Sequence, residues 1–434
     1  MSRPTPSAKN APAARFPRWP RGNTPQWIAE RQERLRTLAH WDAEHQYVLD
    51  GQLDALVPFQ ECLTGEMMLP VGVVGPLRLN WGKYELDRQG QLHERGRQED
   101  QVFVPLAHTE GGLSASIQRG VTAVALAGGV CTYVLADRIT RDSCFVFSST
   151  QEALALADWV AAHVDDMAAW LKDSAHSSLP NHLLSRHALL HEVQTHVVGP
   201  MCHVLYRFTT GDACGPNMMT RNAYALNHAY IGERFAAEFG IRPLRVFLEA
   251  NMGGDKKPSH AFFQFPGHGK LVHAEITLPD AILRRVLRIE AADILALEHA
   301  GLHGAHASGM QSFAFTPASA IAAIFAATGQ DLGMVGTSSM AQVTVSPVSA
   351  GLHLSIRFAG LEVGTLGGGT SLPHARSYLQ LLDCWGEGKV YRFAQIIAAT
   401  ALCLELSASA SMAADGSRNF LQAHLERGGL RASE

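Results

Sequence analysis

Between Asp142 and Glu249 the chain runs strand, helix, strand, strand, helix, and that run constrains the fold more than any other feature of the sequence. FVFSS after Cys144 is a short strand, and Ser149 or Thr150 stands where an N-cap belongs, ahead of the helical QEALALADWVAAHV. HEVQTHVVGPMCHVLYRFTT has strand character, and after a Gly-rich turn MMTRNAYALNHAYIGERFAAEF returns to helical periodicity. Such a run is a small α/β module. If it is an insertion, the sequence on either side belongs to one larger domain. The expected organisation is a disordered tail over 1–24, a helical segment over 25–60, a large domain from 61–141 and 250–434, and the small module over 142–249. In the large domain we expect a strand at Val102–Leu106, a helix over Glu110–Ala127 capped by Thr109, and strands near 272–276 and 340–358. Further helices are expected at 280–296 and 317–328, with two Ala/Leu-rich helices beyond.

Composition narrows the function classes. With 434 residues and 47% hydrophobic content the chain can bury more than one core, which supports two or three domains. A formal charge of −4 argues against a general nucleic-acid binder. The seven cysteines are scattered without a C-x-x-C pair, a pattern that fits a reducing cytoplasm and offers no zinc framework. The histidines show no H-E-x-x-H spacing, so no metal is expected. The best membrane-span candidate, Val121–Ala136, is short of the ~20 residues a bilayer needs and carries a Gly pair. It reads as a buried helix running into a strand, and the chain is expected to be soluble. The basic, Pro-rich N-terminus lacks the apolar run of a secretory signal.

Four segments carry residues suited to chemistry. HTEGGLSASIQRG places Glu110 at a helix start, where a desolvated carboxylate serves as a proton donor and a solvated one merely favours the helix dipole. TGDACGPNMMT sets Gly211, Gly215 and Asn217 before a helix, where backbone N–H groups can meet a phosphate or simply close a loop. No G-x-G-x-x-G fingerprint occurs at a strand–helix junction, so a bound dinucleotide would not use a standard Rossmann module. NMGGDKKP holds two lysines beside an aspartate, either a fixed positive charge for an oxyanion or a solvated turn. AATGQDLGMVGTSS and EVGTLGGGTSLP place Asp331 between an apolar helix and Gly-rich stretches, where it can orient a lysine or close a turn. His424 falls on a short polar helix near the C-terminus.

TEGGLSAS…RG, GDACGPNM, DKKP, TGQD and GTLGGGT occur in that order, and together they resemble the hydroxymethylglutaryl-CoA reductase family, most closely the catalytic region of its eukaryotic and archaeal form. The resemblance runs from Pro58 to Gly428. It implies an α+β fold: a large catalytic domain into which a small ferredoxin-like, NADP-binding domain is inserted. It implies NADPH-dependent reduction of 3-hydroxy-3-methylglutaryl-CoA to mevalonate and CoA by two hydride transfers, in a homodimer or higher homo-oligomer with no membrane or nucleic-acid partner. The residues so implied as catalytic are Lys256 as oxyanion partner, Asp331 holding it, Glu110 as proton donor and His424 as donor to the CoA thiolate. Asp212, Gly215, Asn217 and Met218 are implied at the cofactor. Glu61, Ser116, Arg141, Asn251 and Lys257 are implied at the substrate, Arg141 facing its carboxylate.

The chain departs from the family pattern at several of these positions. The family's Glu-Asn pair reads Glu61-Cys62, which removes a strong hydrogen-bonding group. A serine two residues before Asn251 is replaced by Glu249, and Ala423 replaces the serine before His424. An expected lysine aligns near His299, and an Asn-x-His-x-x-Asn element aligns with Ala314, Thr316 and Ser319. A glutamate in place of a serine, with a lysine lost, disfavours an anionic tail. Two other readings therefore stand beside mevalonate formation. One is a reductase of a different CoA- or carrier-bound thioester; the other is a non-catalytic acyl-CoA-binding relative, against which intact Glu110, Lys256 and Asp331 argue.

Overall fold

The computed structural model describes residues 23–39, 53–87, 90–173, 184–264 and 267–427. It divides into two compact units, Met1–Leu69 and Pro70–Glu434. Most of the expected N-terminal tail, and residues 40–52 of the expected helical segment, lie outside the described residues. The first unit has helix α1 (Pro25–Ala39), a one-turn helix α2 (Leu53–Leu56) and a 3-10 turn, Val57–Phe59. Buried Arg31 on α1 organises it: Nε donates to the Leu63 carbonyl at 2.9 Å and a terminal nitrogen to Asn23 Oδ1 at 3.0 Å. A buried guanidinium is tolerated because its donors find partners. Glu61 is exposed and Cys62 half-buried in this unit.

The second unit begins with a long hairpin, β1 (Val71–Leu86) and β2 (Leu92–Ala107), then α3 (Leu113–Leu126) and β3 (Val130–Val146). Next come α4 (Thr150–Ala162), α5 (Val164–Lys172), β4 (Leu189–Val198), β5 (Met201–Thr209), α6 (Pro216–Ala225), α7 (Gly232–Phe239) and β6 (Arg245–Phe247). The rest comprises β7 (Gly269–Pro279), α8 (Asp280–Ile282), α9 (Ala291–Ser308), α10 (Pro317–Thr328), α11 (Val335–Ser338), β8 (Ala341–Val348) and β9 (Gly351–Leu361). It ends in α12 (Pro373–Leu381), α13 (Val390–Ala413) and α14 (Arg418–Arg427).

Strand β3 belongs to two sheets. Its first half lies parallel to β1 and antiparallel to β7 in the order β2-β1-β3-β7-β9-β8. Its second half, from Ile139, pairs antiparallel with β5, and its end with β6. The second sheet thus runs β4-β5-β3-β6, with α4–α5 and α6–α7 as its two helical connections, the strand order and element sequence of a ferredoxin-like module. Each sheet has its own apolar core. The larger gathers β1, β2, α3, β7, β9, α10 and α13; the smaller is drawn from residues between Ile139 and Leu248, including Phe145, Trp159, Tyr206 and Phe235. The fold is α+β.

Helix α13 is the one helix among the described residues that is long and apolar enough to cross a membrane, and it is the central rod of the larger core. Its Gln395 reaches strand β1, donating to the Gly82 carbonyl at 2.9 Å and accepting from Gly82 N at 3.0 Å. Against α3 the approach is closer still: a Cβ built on Gly120 would lie 2.0 Å from the Cys403 carbonyl oxygen.

Local expectations differ at three places. Helix α3 starts at Leu113, with Gly112 at φ +85° as N-cap rather than Thr109. The helix expected over 280–296 is broken: a π-helical turn, Leu283–Leu287, ends at Arg288 in the left-handed region, and α9 begins afresh at Ala291. A capping box between Glu290 and Asp293 sets that new start, a signal hidden by continuous apolar periodicity. The helix over 218–239 carries a π-helical turn, Leu226–Ile231, where buried Asn227 accepts from Tyr206 Oη and donates to Ser143 Oγ.

The α3–α13 crossing has no room for a side chain. Gly120→Ala is expected to cost about 1–3 kcal/mol, read as a lower denaturant midpoint at unchanged slope.

Candidate active site

The DKKP lysine sits on a loop that three successive β3 residues pin in place. Thr140 Oγ1 donates to the Gly253 carbonyl at 2.5 Å, Arg141 donates to Asp255 Oδ2 at 3.0 Å, and Asp142 Oδ2 accepts from Met252 N at 3.1 Å. A side chain on Gly253 would approach Asp142 N to 2.9 Å, so the loop lies flat against the strand. The loop is conformationally expensive: Asn251 (φ +72°) and Lys256 (φ +57°) both occupy the left-handed region without being glycine. Tertiary contacts hold Lys256 there and aim its side chain at Asp331, 2.7 Å from Nζ to Oδ2. Asp331 is itself fixed, because Oδ1 accepts from Gly333 N at 2.9 Å as the cap of a 3-10 turn. The hydrogen bond from Lys256 to Asp331 raises the lysine above its ordinary pKa, so the half-exposed ammonium keeps its charge.

Behind the loop lies a buried pair that inspection of the motifs did not single out. His268 Nδ1 lies within hydrogen-bond distance of both Thr140 N, at 3.2 Å, and Thr140 Oγ1, and its Nε2 stands 3.2 Å from Glu362 Oε2. Glu362 lies in the segment EVGTLGGGT and also accepts from Thr337 Oγ1. His268 carries no sequence signal, since its partners come from distant strands.

Arg141 is almost fully buried, with Glu249 at 2.5 Å as its second carboxylate partner. Glu249 Oε1 accepts from Asn251 N at 2.8 Å, and Lys257 Nζ stands 3.9 Å from the same oxygen. Arg141, Asn251, Lys256, Lys257 and Asp331 therefore form one polar cluster.

Glu110, Ser116 and His424 line a different place, a cavity of about 760 Å³ shared with Arg119, Thr316 and Ser319. Ser116 Oγ is 2.9 Å from Ser407 Oγ on α13, and Arg119 donates to the same hydroxyl at 2.9 Å. His424 Nδ1 donates to the Phe420 carbonyl at 2.8 Å, which leaves Nε2 to exchange a proton. Thr316 N and Oγ1 donate to buried Glu405, whose pKa is raised by burial. Glu110 and His424 are both exposed. Neither Lys256 nor Asp331 lines this cavity, and among the described residues no hydrogen bond or ion pair joins the two groups. The structure thus gathers the four expected catalytic residues as two pairs.

The cofactor candidates lie on the loop before α6 and on its first turn. Gly215 is the N-cap at φ +91°, where a Cβ would fall 2.2 Å from Thr210 Cγ2. Pro216 has no N–H and Met218 N donates to the Gly215 carbonyl at 3.1 Å, so Asn217 N is the first-turn donor left without a side-chain cap, which suits an anion; Asn217 is exposed and Met218 half-buried there. The Asp212 carboxylate is committed elsewhere: it accepts from Gly388 N, Lys389 N and Val390 N at 2.8, 3.0 and 3.1 Å, capping α13. All seven cysteines are free thiols, and no group of metal-ligating side chains occurs among the described residues.

Fold and site define an α+β protein in which a ferredoxin-like module interrupts a larger sheet domain, with a carboxylate-held lysine at their shared strand. The chain belongs to the hydroxymethylglutaryl-coenzyme A reductase family, whose sequence model matches residues 27–428. It is 35% identical over 377 residues to the 3-hydroxy-3-methylglutaryl-coenzyme A reductase of Aeropyrum pernix, covering 85% of this chain and 82% of that one. The reductase of Halobacterium salinarum is 33% identical over 374 residues, covering 85% and 84%. That of Aspergillus terreus is 30% identical over 402 residues, 88% of this chain but 35% of the longer fungal protein. In fold the chain is similar to the class II 3-hydroxy-3-methylglutaryl-CoA reductase from Streptococcus pneumoniae bound to NADPH in open conformations. The TM-score is 0.61 at 16% identity, over 88% of this chain and 96% of that one.

Removing the carboxylate should free the lysine. In Asp331→Asn, Lys256 is expected to lose its proton at lower pH than in the wild type, as followed by a nuclear magnetic resonance titration of its side-chain carbon next to Nζ.

Proposed function

We propose that this chain reduces 3-hydroxy-3-methylglutaryl-CoA to mevalonate and CoA, as a soluble, cytoplasmic, NADPH-dependent oxidoreductase. Family membership supports the reaction, and the observation that carries the mechanism is the Lys256–Asp331 pair. NADPH, bound twice in succession, would supply one hydride to each of the two reductions. The glycine-led start of α6 suits that cofactor, because Asn217 N at its first turn is without a side-chain cap and can donate to a phosphate, with Gly215, Asn217 and Met218 at the contact and Asp212 bracing the loop ahead of it. The proposed domain boundaries follow: the 142–249 module carries the cofactor, and 61–141 with 250–434 carries the substrate.

Hydride addition to the thioester carbonyl leaves an oxyanion on a thiohemiacetal. Lys256 donates to that oxygen, and Asp331 keeps the lysine protonated and aimed while it does so. Collapse to the aldehyde expels CoA as a thiolate, to which His424 gives a proton. His424 serves this through Nε2, since Nδ1 is engaged with the Phe420 carbonyl. Glu110 then gives a proton to the aldehyde oxygen as the second hydride arrives, and Ser116 and Arg141 hold the substrate with Asn251 and Lys257. Glu61 completes the proposed substrate set.

The two pairs of catalytic residues support a site completed by a second copy of the chain. Glu110 and His424 open to solvent on one cavity, and Lys256 and Asp331 form a half-exposed pair outside its lining. A homodimer that brings the pair of one protomer over the cavity of its partner assembles all four and shields Glu110 from water.

NADPH oxidation with hydroxymethylglutaryl-CoA tests the reaction. Lys256→Ala is expected to lower kcat by about 10²–10³-fold or more, as for loss of a principal oxyanion donor. Turnover that is absent in the wild type, or unchanged in the variant, contradicts the reading. Glu110→Gln and Lys256→Ala proteins, each inactive alone, are expected on mixing and subunit exchange to regain about a quarter of wild-type activity, because half the dimers then hold one intact site. No recovery despite demonstrated exchange would place all four residues within one protomer.

A further inference from the structure

Lys256 and Asp331 meet near the surface, with side chains 47% and 41% exposed. An exposed ion pair gains little from its own attraction and does not by itself fix a long side chain. The direction of Lys256 is therefore imposed from beneath. Glu362 is the buried side chain that reaches the supports of both partners.

On the Asp331 side, the segment 362–364 holds the turn at both ends. Gly364 N donates to Gln330 Oε1 at 2.9 Å, on the residue just before Asp331. Beyond the turn, Glu362 N donates to Ser338 Oγ at 3.0 Å, and Glu362 Oε1 accepts from Thr337 Oγ1. On the Lys256 side, Glu362 Oε2 stands 3.2 Å from His268 Nε2. His268 Nδ1 lies 3.2 Å from Thr140 N, and Thr140 Oγ1 donates to the Gly253 carbonyl of the lysine loop at 2.5 Å. The link has little freedom. The His268 ring is stacked on Phe262, with centroids 5.1 Å apart, and a Cβ on Gly360 of β9 would overlap the His268 carbonyl. The side chains of His268 and Glu362 are 2% and 0% exposed. A buried pair of this kind adds little net stability, because desolvation offsets the attraction, so its contribution is a fixed geometry.

On the reading of Lys256 as the oxyanion partner, we propose that Glu362 is a positioning residue: with His268 it ties the Lys256 loop to the Asp331 turn and so sets where the ammonium meets the reacting oxygen. Glu362 acts through Lys256 and takes no part in hydride or proton transfer. Its charge alone is a small influence. The hydrogen bond to Asp331 leads the causes that raise the Lys256 pKa, and the Glu362 charge stands behind the charges of Asp331 and Asp255.

Two measurements on Glu362→Gln test this. In NADPH oxidation with hydroxymethylglutaryl-CoA, kcat per folded enzyme is expected to fall about ten- to a hundredfold with KM within about twofold, because substrate still binds but the lysine is misplaced. A change confined to KM, or an unchanged kcat beside a lower melting temperature, overturns the proposal. The second measurement follows the Lys256 side-chain carbon next to Nζ by nuclear magnetic resonance, with Asp331 intact and in Asp331→Asn. Glu362→Gln is expected to lower the pH at which Lys256 titrates, and by less than about half as much once Asp331 is replaced, since residues in one network are not additive. Equal shifts in the two backgrounds, or none, mean that Glu362 does not act through the pair, and overturn the proposal too. This titration needs no turnover, so it decides the role of Glu362 even if the wild type reduces no thioester and the reductase reading fails. Where Glu362→Gln does not fold, Thr337→Val cuts the tie on the Asp331 side alone and is read by the same two criteria.

Discussion

Everything that bears on function hangs from the continuity of one strand. β3 enters the larger sheet between β1 and β7 and leaves in the smaller sheet between β5 and β6, without a break in its 17 residues. A strand shared in this way must satisfy two cores at once. Its crossing point, Ile139 to Asp142, is where the polar anchors of the lysine loop project. The loop accepts left-handed backbone at Asn251 and Lys256 because the strand beneath it supplies consecutive partners.

That crossing also concentrates buried charge. Asp142 faces His203 at 3.0 Å, Lys270 faces Asp137 at 3.4 Å, and Asp137 accepts from Tyr391 Oη at 3.0 Å. Burial raises the pKa of Asp142, and the hydrogen bond to His203 offsets that only in part. Buried ion pairs of this kind add little net stability, because desolvation offsets the Coulomb attraction. What they add is geometry: a charged group with one satisfactory arrangement holds the strand and loop in that arrangement.

How much of this was legible in the sequence varies with the kind of signal. Helix α10 was read at its observed bounds, because Thr316-Pro317 starts it and Gly329 stops it. The α4 cap falls on Ser149, one of the two residues the sequence offered, and the strand-like HEVQTHVVGPMCHVLYRFTT folds into the β4–β5 hairpin. The length of β3 was not, because its apolar residues appeared as the tail of one pattern and the start of another. The outer half of β2 carries HERGRQEDQ, which reads as a loop, and only its pairing with β1 makes it a strand. Lys256 and Asp331 were found as motifs, yet a linear reading cannot say that Arg141 spends its charge on Glu249, 108 residues away. A three-dimensional contact between residue types that are each ordinary leaves no local trace.

The Asp212 cap gives the molecule a mechanical property. One carboxylate ties the glycine loop ahead of α6 to the head of α13, a rod of 24 residues and thus about 36 Å long. Toward its other end that rod carries Ser407 and Ser411, which hold Arg119 at the cavity, and beyond it α14 bears His424. A stiff rod transmits displacement without bending, so a shift of the loop must either travel along α13 or break three N–H···O hydrogen bonds at once. The glycine loop and the His424 helix are thereby anchored to the two ends of one rigid element.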